Sequence, residues 1–221
     1  MSDDPTHVRE FFGARASEWD SRFPDDGPAY AAAVTELGLR PGDSVLDAGC
    51  GTGRALPPLR AAVGPSGTVL GADLTPEMLD EAARAGRGGP GQGTRGDRAG
   101  QGAQAPPAGQ DGGTLLLTDV GRLPVRDDAL DAVFGAGLIS HLADPVSDLR
   151  ELARVVRSGG RLALFHPIGR AALAARHGRQ ITPDDLRAEP RLRPVLAEAG
   201  WRLVSYVDED ARYLALAVRE G

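Results

Sequence analysis

The chain has 221 residues, which is enough to bury one sizeable core and favours one domain over two. Its formal net charge of -6 argues against a nucleic-acid-binding surface made by bulk charge, because neutralising phosphates requires clustered cations. No stretch approaches the roughly 20 consecutive apolar residues of a membrane-spanning helix, so we expect a soluble protein with neither nucleic acid nor membrane as a partner.

The one cysteine, Cys50, has no partner for an intramolecular disulfide, so a reducing cytoplasm is the expected compartment. No residues near it have metal-ligand spacing, and we predict no metal site. The first residues show neither a basic start nor a long apolar run, so no secretory signal is expected.

Residues 1–40 carry helical patterns and are expected to form an N-terminal helical cap. One apolar stripe is followed by a second that runs from Tyr30 to Leu37 and ends at Gly38. The first stripe consists of Val8, Phe11, Phe12, Ala16 and Trp19.

From Ser44 onward, short apolar runs bounded by Gly and Asp alternate with helical segments, a pattern typical of repeated strand–helix units and a parallel sheet. The predicted strands are Ser44–Leu46, Thr68–Ala72, Thr114–Leu117, Ala132–Phe134 and Arg161–Phe165. The predicted helices between them are Arg54–Val63, Pro76–Arg84 and Pro145–Arg157.

Two further segments complete the single predicted domain, residues 1–221. Residues 86–113 are dominated by Gly, Pro and Gln and bury too little apolar surface to offset their ordering entropy, which predicts a disordered insertion. A flexible lid is the alternative. Residues 167–221 are expected to supply a C-terminal helix and two edge strands, Arg202–Val207 and Arg212–Val218, paired as a hairpin.

The segment from Val45 to Gly53 indicates a buried strand that runs into a glycine-rich turn and then a helix. Glycines at alternate positions leave the backbone bare, and a helix N-terminus offers unpaired N–H groups, which together suit the carboxylate of a ligand. A dinucleotide fingerprint would need Gly where Arg54 stands, so pyrophosphate binding is disfavoured.

Three consecutive predicted strands each end near an aspartate: Asp47, Asp73 and Asp119. A carboxylate at the position of Asp73 could accept both hydroxyls of a ribose, and one at Asp119 could accept from the amine of an adenine. Each alone could be an ordinary loop or capping residue. Thr75 and Pro76 are typical of the start of a helix.

Taken together, the ordered motifs of this chain resemble the class I S-adenosylmethionine-dependent methyltransferases, in their small-molecule branch. The resemblance spans about Pro41–His166, which we take as the cofactor-binding core, residues 41–166. It implies an α/β, Rossmann-like doubly wound fold, with a seven-stranded, mostly parallel sheet, helices on both faces and an antiparallel strand near one edge. The matching segments are Asp47–Gly53, Asp73-Leu74, Asp119-Val120 with Leu123-Pro124, Asp131–Val133, His141–Pro145 and Arg157–Arg161.

The resemblance also implies N-terminal lid helices, with Trp19-Asp20 and Phe23 to Tyr30 over the sulfonium, and core packing of Trp19 is the alternative. It further implies S-adenosylmethionine as the cofactor and a role for each matching residue. The methionine end would lie among the residues of the glycine-rich turn, the ribose against Asp73, and the sulfonium near Gly135. Leu74 and Met78 would cover the adenine faces, while Asp119 and Val120 would bind its edge. The turn residues are Asp47, Gly49, Gly51, Thr52 and Gly53.

Methyl transfer from a sulfonium needs mainly proximity and alignment, and a general base only for some acceptors. His166 follows an apolar strand and should emerge at the cofactor edge of the sheet, so it is the first candidate base. His141 is the second. For both, a structural hydrogen bond at the end of a strand or helix is the alternative.

The sequence therefore predicts a methyltransferase that acts on a small molecule, with the acceptor and the oligomeric state left open. The main alternative is a non-catalytic S-adenosylmethionine-binding module that serves as a sensor or a structural subunit. A nicotinamide-dependent dehydrogenase is disfavoured by Arg54.

Overall fold

The short apolar runs of the sequence form one sheet of eight strands, in the order β3-β4-β2-β1-β5-β6-β8-β7. The computed structural model describes residues 5–90 and 113–221. The strands are β1 Ser44–Ala48, β2 Thr68–Asp73, β3 Gly88–Pro90, β4 Gly113–Leu117, β5 Leu130–Ala136, β6 Val156–His166, β7 Trp201–Glu209 and β8 Arg212–Arg219.

All neighbouring strands from β3 to β6 pair in parallel, and the expected doubly wound α/β fold is confirmed. Near one edge β8 runs antiparallel to both β6 and β7, which is the predicted C-terminal hairpin. The count is eight strands where seven were predicted, because Gly88–Pro90 adds a short strand beside β4.

Eight α-helices surround the sheet in the described residues: α1 Pro5–Gly13, α2 Ala16–Arg22, α3 Gly27–Leu37, α4 Leu56–Val63, α5 Pro76–Arg84, α6 Pro145–Val155, α7 Arg170–Arg176 and α8 Glu189–Glu198. A short 3-10 helix at Leu138–His141 follows β5. Helices α3, α4 and α5 contribute to one buried cluster and α6 and α8 to another, so the sheet is covered on both faces.

Several boundaries differ from the sequence prediction for local reasons. Helix α4 begins at Leu56 instead of Arg54, since the glycine-rich segment continues as turns up to Ala55. Helix α6 ends at Val155, and strand β6 follows directly at Val156, well before its predicted start at Arg161. Helix α7 and the 3-10 helix were not predicted, because both are short and weakly patterned.

The predicted disordered insertion, residues 86–113, was wrong at its two ends. Gly88–Pro90 and Gly113–Leu117 pair as parallel strands, where a Cβ on Gly88 would lie 2.6 Å from the Gly113 carbonyl oxygen. Glycine is therefore needed there for the close approach of two backbones. Residues 91–112 lie outside the described residues.

The N-terminal cap divides into an anchored and a superficial part. Helix α3 buries Ala33, Val34 and Leu37 against the sheet, and Arg161 of β6 donates to the Leu37 carbonyl oxygen at 2.8 Å. In the described residues of α1 and α2, Ala16 is the one buried side chain. No helix in residues 5–90 or 113–221 is long and apolar enough to cross a membrane.

Candidate cofactor and acceptor site

The parallel strands β1, β2 and β4 to β6 end at one edge of the sheet, and a cavity of about 1010 Å³ opens there. Ligands bind at this edge in open α/β sheets because loops and helix N-termini converge on it. Nine of the eleven predicted cofactor residues and both predicted histidines line this cavity. The predicted residues that line it are Asp47, Gly49, Gly51, Thr52, Asp73, Leu74, Met78, Asp119, Val120, His141 and His166.

The glycine-rich turn after β1 exposes its backbone to the cavity. Gly49 and Gly51 have φ angles of 67° and 53°, in the left-handed region that glycine adopts without strain. An added Cβ at Gly49 would come within 3.1 Å of Leu138, so a larger residue would also crowd the 3-10 helix. The turn therefore leaves room for a ligand against its main chain.

Asp47 is the most unusual charge in the site. Its side chain is 1% exposed, and neither carboxylate oxygen has a hydrogen-bond partner. Burial, with a further contribution from Asp73, raises the pKa of Asp47 to about 8. A buried carboxylate without a partner is costly, and a cationic group entering the cavity would relieve that cost.

Asp73 at the end of β2 is held by the neighbouring backbone. One carboxylate oxygen accepts from the Gly51 amide and the other from the Thr75 amide, both at 2.8 Å. Burial raises the pKa of Asp73, and these two backbone hydrogen bonds partly offset the rise. Each oxygen retains a lone pair, so Asp73 positions the glycine-rich turn and can still accept from a ligand.

Leu74, Met78 and Val120 give the cavity an apolar lining, which we call the apolar slot, and Asp73 also lines it. Met78 is buried, and Asp119 accepts from the Gly121 amide at 2.9 Å. Helix α5 begins at Pro76 as predicted, although the Thr75 side chain makes no capping hydrogen bond. A flat ring with a polar edge suits this slot.

Gly53 and Gly135 are not among the residues that line the cavity. A Cβ at Gly53 would lie 2.9 Å from Leu56 and 3.2 Å from Ala82, so this glycine lets the turn pack against α5. A Cβ at Gly135 would lie 2.9 Å from Leu138, which places β5 under the 3-10 helix. Both glycines therefore have a packing role, and their contacts with the cofactor stay predictions.

Thr52 lines the cavity, but its hydroxyl is engaged elsewhere. It donates to Asp20 of α2 at 2.7 Å, and Arg87 bridges Asp20 at 2.5 Å and the Thr52 carbonyl oxygen at 2.9 Å. Arg87 was not identified from the sequence, because a residue just beyond a helix end carries no local signal for so distant a partner.

His166 ends β6 and lines the cavity. Its Nδ1 lies 2.9 Å from the Ile168 carbonyl oxygen and 3.1 Å from the Ile168 amide nitrogen. Burial lowers the pKa of His166, and the contact with the Ile168 backbone partly offsets this. With its proton on Nδ1, the neutral ring keeps a lone pair on Nε2. His141 packs edge-to-face on Phe12, with ring centroids 5.1 Å apart.

The part of the cavity beyond the glycine-rich turn is rich in aromatic side chains. Trp19 contacts Phe12 and Phe23 at centroid distances of 5.4 and 5.3 Å, and all three line the cavity. Helices α1 and α2 therefore form one wall of the cavity. We call these two helices the lid, and their closure over a bound cofactor stays a prediction. Phe23 begins the second segment expected in the lid, Phe23 to Tyr30, and lies outside the helical stripes.

Tyr30 of α3 ends the segment expected in the lid and also lines the cavity. Its ring packs on Phe165 at 5.1 Å, and burial raises the pKa of its hydroxyl. Arg54, the residue that disfavoured a dinucleotide, lies over this ring, donates to the Phe23 carbonyl oxygen and pairs with Asp26 at 3.6 Å. Arg54 thus fixes the connection between α2 and α3.

These features fit S-adenosylmethionine on structural grounds. The unpartnered Asp47 would pair with the α-ammonium group, and the bare backbone of the turn would bind the carboxylate. Asp73 would accept from the ribose hydroxyls, and the apolar slot would hold the adenine. In residues 5–90 and 113–221, no group of three or more His, Cys, Asp and Glu could hold a metal ion.

Comparison with known proteins agrees with this geometry. Residues 46–164 match the model of a methyltransferase domain family. An uncharacterised 37.1 kDa protein in transposon TN4556 of Streptomyces fradiae is 35% identical over 65% of this chain and 36% of its own length. Arsenite methyltransferase of Halobacterium salinarum is 26% identical over 78% of this chain and 40% of its own. Aklanonic acid methyltransferase DauC of Streptomyces sp. (strain C5) is 30% identical over 59% of this chain and 50% of its own length. The chain thus spans half or less of the length of these relatives.

Solved structures share the fold over almost the whole chain. A SAM-dependent methyltransferase from Aquifex aeolicus has a TM-score of 0.67 at 23% identity, over 99% of this chain and 100% of its own. Magnesium protoporphyrin IX methyltransferase from Synechocystis PCC 6803 with bound SAH has a TM-score of 0.69 at 20% identity, over 98% of this chain and 100% of its own. The [4+2]-cyclase SpnF has a TM-score of 0.70 at 15% identity, over 100% of this chain and 97% of its own.

The family match covers more than half of the chain; it begins within β1 and includes Asp47, the glycine-rich turn and Asp73. Its cofactor, S-adenosylmethionine, fits the cavity that these strands build. The chain therefore belongs to the class I S-adenosylmethionine-dependent methyltransferases.

Proposed function

We propose that this protein transfers the methyl group of S-adenosylmethionine to a small-molecule acceptor. The observation that carries the proposal is Asp47, whose buried carboxylate has no partner and faces a cavity beside a bare glycine-rich turn. Such a group is costly unless a cation pairs with it, and the α-ammonium of the cofactor is that cation.

The remaining cofactor contacts follow from the cavity lining. Asp73 accepts from the ribose hydroxyls, Leu74 and Met78 cover the adenine, and Asp119 with the Val120 backbone binds its edge. Gly49, Gly51 and the backbone of Thr52 surround the methionine carboxylate. The bound cofactor supplies an activated methyl group, and the chain supplies alignment of an acceptor with it.

The acceptor side supports a small and largely apolar substrate. Phe12 of α1 and Trp19 of α2 line the cavity with aromatic rings, which would shield the transfer from water. One known acceptor of a relative is disfavoured: arsenic(III) is thiophilic, whereas the single cysteine, Cys50, is buried. Burial also raises the pKa of the Cys50 thiol, so no thiolate is available to bind arsenite.

His166 is the group best placed to accept a proton from a hydroxyl acceptor. The lowered pKa keeps its ring neutral near pH 7, and the Ile168 contact holds the ring at the cavity wall. The rate with such an acceptor should fall as the pH drops through the pKa of His166, which lies below its ordinary value of 6.5.

Calorimetric titration with S-adenosylmethionine tests the cofactor site. We expect saturable binding that Asp47→Asn abolishes, because the neutral amide no longer pairs with the α-ammonium. Asp80→Asn is the matched control, since Asp80 is exposed on α5 and does not line the cavity. Equal binding by both variants, or none by the unaltered protein, would refute the proposal.

Mass spectrometry of S-adenosylhomocysteine formation tests the transfer. Aklanonic acid serves as an aromatic acceptor and arsenite as the acceptor expected to fail. With a hydroxyl acceptor, we expect His166→Gln to slow transfer by about 10² or more without loss of cofactor binding, and His141→Gln to slow it much less. A larger loss in His141→Gln would reverse the two roles.

The main alternative, a cofactor-binding module without methyl transfer, has support from one comparison. A [4+2]-cyclase has the same fold, so the fold alone does not determine the reaction. Tight cofactor binding without S-adenosylhomocysteine formation across a broad panel of phenols, amines and carboxylic acids would favour this alternative. We propose the cytoplasm as the compartment, since a single buried cysteine suits a reducing environment.

A further inference from the structure

We infer that Asp20 is a positioning residue that ties helix α2 of the lid to the glycine-rich turn and so sets how long the cofactor stays bound. This inference rests on the proposed function for its cofactor. It assigns Thr52 a second task, as the point on the turn to which the lid is fastened.

The tether consists of three side chains from distant parts of the chain. Asp20 uses both carboxylate oxygens: Oδ1 accepts from the Thr52 hydroxyl at 2.7 Å and Oδ2 from Arg87 Nη1 at 2.5 Å. The same Arg87 nitrogen donates to the Thr52 carbonyl oxygen at 2.9 Å. The three groups therefore close a ring of hydrogen bonds between lid and turn.

The surroundings of this ring set it apart from an ordinary surface ion pair. The Thr52 side chain lies in the buried turn at 2% exposure, and the Arg87 and Asp20 side chains are 24% and 39% exposed. By contrast, the Glu18–Arg22 pair on the same helix is 66% and 50% exposed and joins two residues of α2 only. Shielded, charge-assisted hydrogen bonds are the stronger kind.

The ring stands at the boundary between cofactor and lid. Thr52 lines the cavity, and Trp19, the neighbour of Asp20, lines it from the lid side. Helix α2 has few other anchors, since Ala16 is its one buried residue among those described. Opening the cavity along this wall therefore requires the Asp20 contacts to break.

The first experiment measures motion of the lid without any ligand. Hydrogen exchange of residues 5–22 is compared in the unaltered protein, Asp20→Ala and the control Glu18→Gln, which removes the exposed pair of the same helix. We expect faster exchange in Asp20→Ala alone. Equal exchange in Asp20→Ala and the unaltered protein would overturn the inference, whether or not the cofactor binds.

The second experiment measures residence of the cofactor by surface plasmon resonance, with immobilised protein and S-adenosylhomocysteine as the analyte. We expect the dissociation rate to rise about tenfold in Asp20→Ala, less in Asp20→Asn, whose amide oxygen still accepts from Thr52, and not at all in Glu18→Gln. Thr52→Val should add little in the Asp20→Ala background, because Asp20→Ala has already removed the contact with the Thr52 hydroxyl. An unchanged dissociation rate would overturn the inference while leaving the proposed function intact. Absence of binding to the unaltered protein would instead refute the proposed function.

Discussion

Asp47 shows how one side chain can destabilise the fold and still serve the proposed cofactor site. It lies between β2 and β5 in the centre of the sheet, where Asp47 pairs in register with Gly71 and Phe134. A hydrophobic residue would suit this position better, as it does at Val45 and Leu46. The carboxylate remains there without a partner of its own.

This placement makes the stability of the protein depend on pH. The pKa of Asp47 rises from its ordinary 3.8 to about 8 on folding, so between these values the folded state holds a proton that the unfolded state has lost. The free energy of unfolding therefore falls as the pH rises through this window. Asp47→Asn should remove the effect and raise the melting temperature by about 3 °C or more at pH 9, with little difference at pH 4.

Thermal unfolding followed by circular dichroism from pH 4 to 9 measures this difference. Asp80→Asn serves as the control and should follow the unaltered protein throughout. If Asp47→Asn melts in parallel with the unaltered protein across the whole range, Asp47 does not hold the additional proton.

At the residue scale, the sequence could identify groups whose position follows from a single strand end. Asp47, Asp73 and Asp119 were of this kind, since a buried apolar run followed by a carboxylate places that carboxylate at the edge of the sheet. Asp20 and Tyr30 could be assigned to the expected lid segments but not to their partners, and Arg87 could not be assigned at all, because the contacts of all three are with residues more than thirty positions away.

At the scale of elements, the glycine-rich turn combines two different uses of glycine. Gly49 and Gly51 face the cavity, whereas Gly53 faces Leu56 and Ala82 of the adjoining helices. The alternating pattern predicted the turn correctly but could not separate the two uses, since all three have positive φ angles. What separates them is the packing of α4 and α5 behind the turn.

A matched pair of substitutions separates the packing role of Gly53 from the cost of its positive φ angle. Gly53→Ala and Gly86→Ala both place a side chain at a positive φ, 78° and 69°, but only at Gly53 does the new Cβ meet other atoms within 4 Å. We expect about 1 kcal/mol of destabilisation for Gly86→Ala and a further 1 to 3 kcal/mol, roughly, for Gly53→Ala. Urea unfolding measures both, and equal losses would contradict the packing role.

The element boundaries that were predicted least well are those where one element passes directly into another. Helix α6 passes into β6 at Val156 without a loop, and β3 consists of glycines and a proline that resemble linker sequence. In both places backbone pairing with a neighbouring strand determines the structure, and a single sequence carries no record of that neighbour.

At the scale of the whole molecule, the N-terminal cap separates folding from function. Helix α3 belongs to the core through Ala33, Val34 and Leu37, which are at most 2% exposed. Helices α1 and α2 instead wall the cavity, with Phe12 and Trp19 among its lining. The sequence predicted helices throughout this region, but amphipathic stripes did not distinguish the helix that anchors from those that cover.

Two deletions test this division. Removal of residues 2–22 should leave cooperative unfolding, with the melting temperature lowered by only a few degrees, because α1 and α2 bury little apolar surface. Removal of residues 2–40 should abolish cooperative unfolding, since each lost core side chain costs about 2 to 5 kcal/mol. Circular dichroism melts of both proteins measure this, and loss of the fold in the shorter deletion would contradict the division.

The two tryptophans of the chain stand in opposite surroundings. Trp201 is fully buried at the start of β7, and its indole nitrogen donates to the Leu149 carbonyl oxygen at 2.8 Å. Trp19 stands on the lid at the cavity wall, between Phe12 and Phe23. The intrinsic fluorescence therefore contains a constant blue-shifted emission from Trp201 and a second emission from Trp19 that changes when the lid moves, so the protein reports the opening of its own site without an added dye.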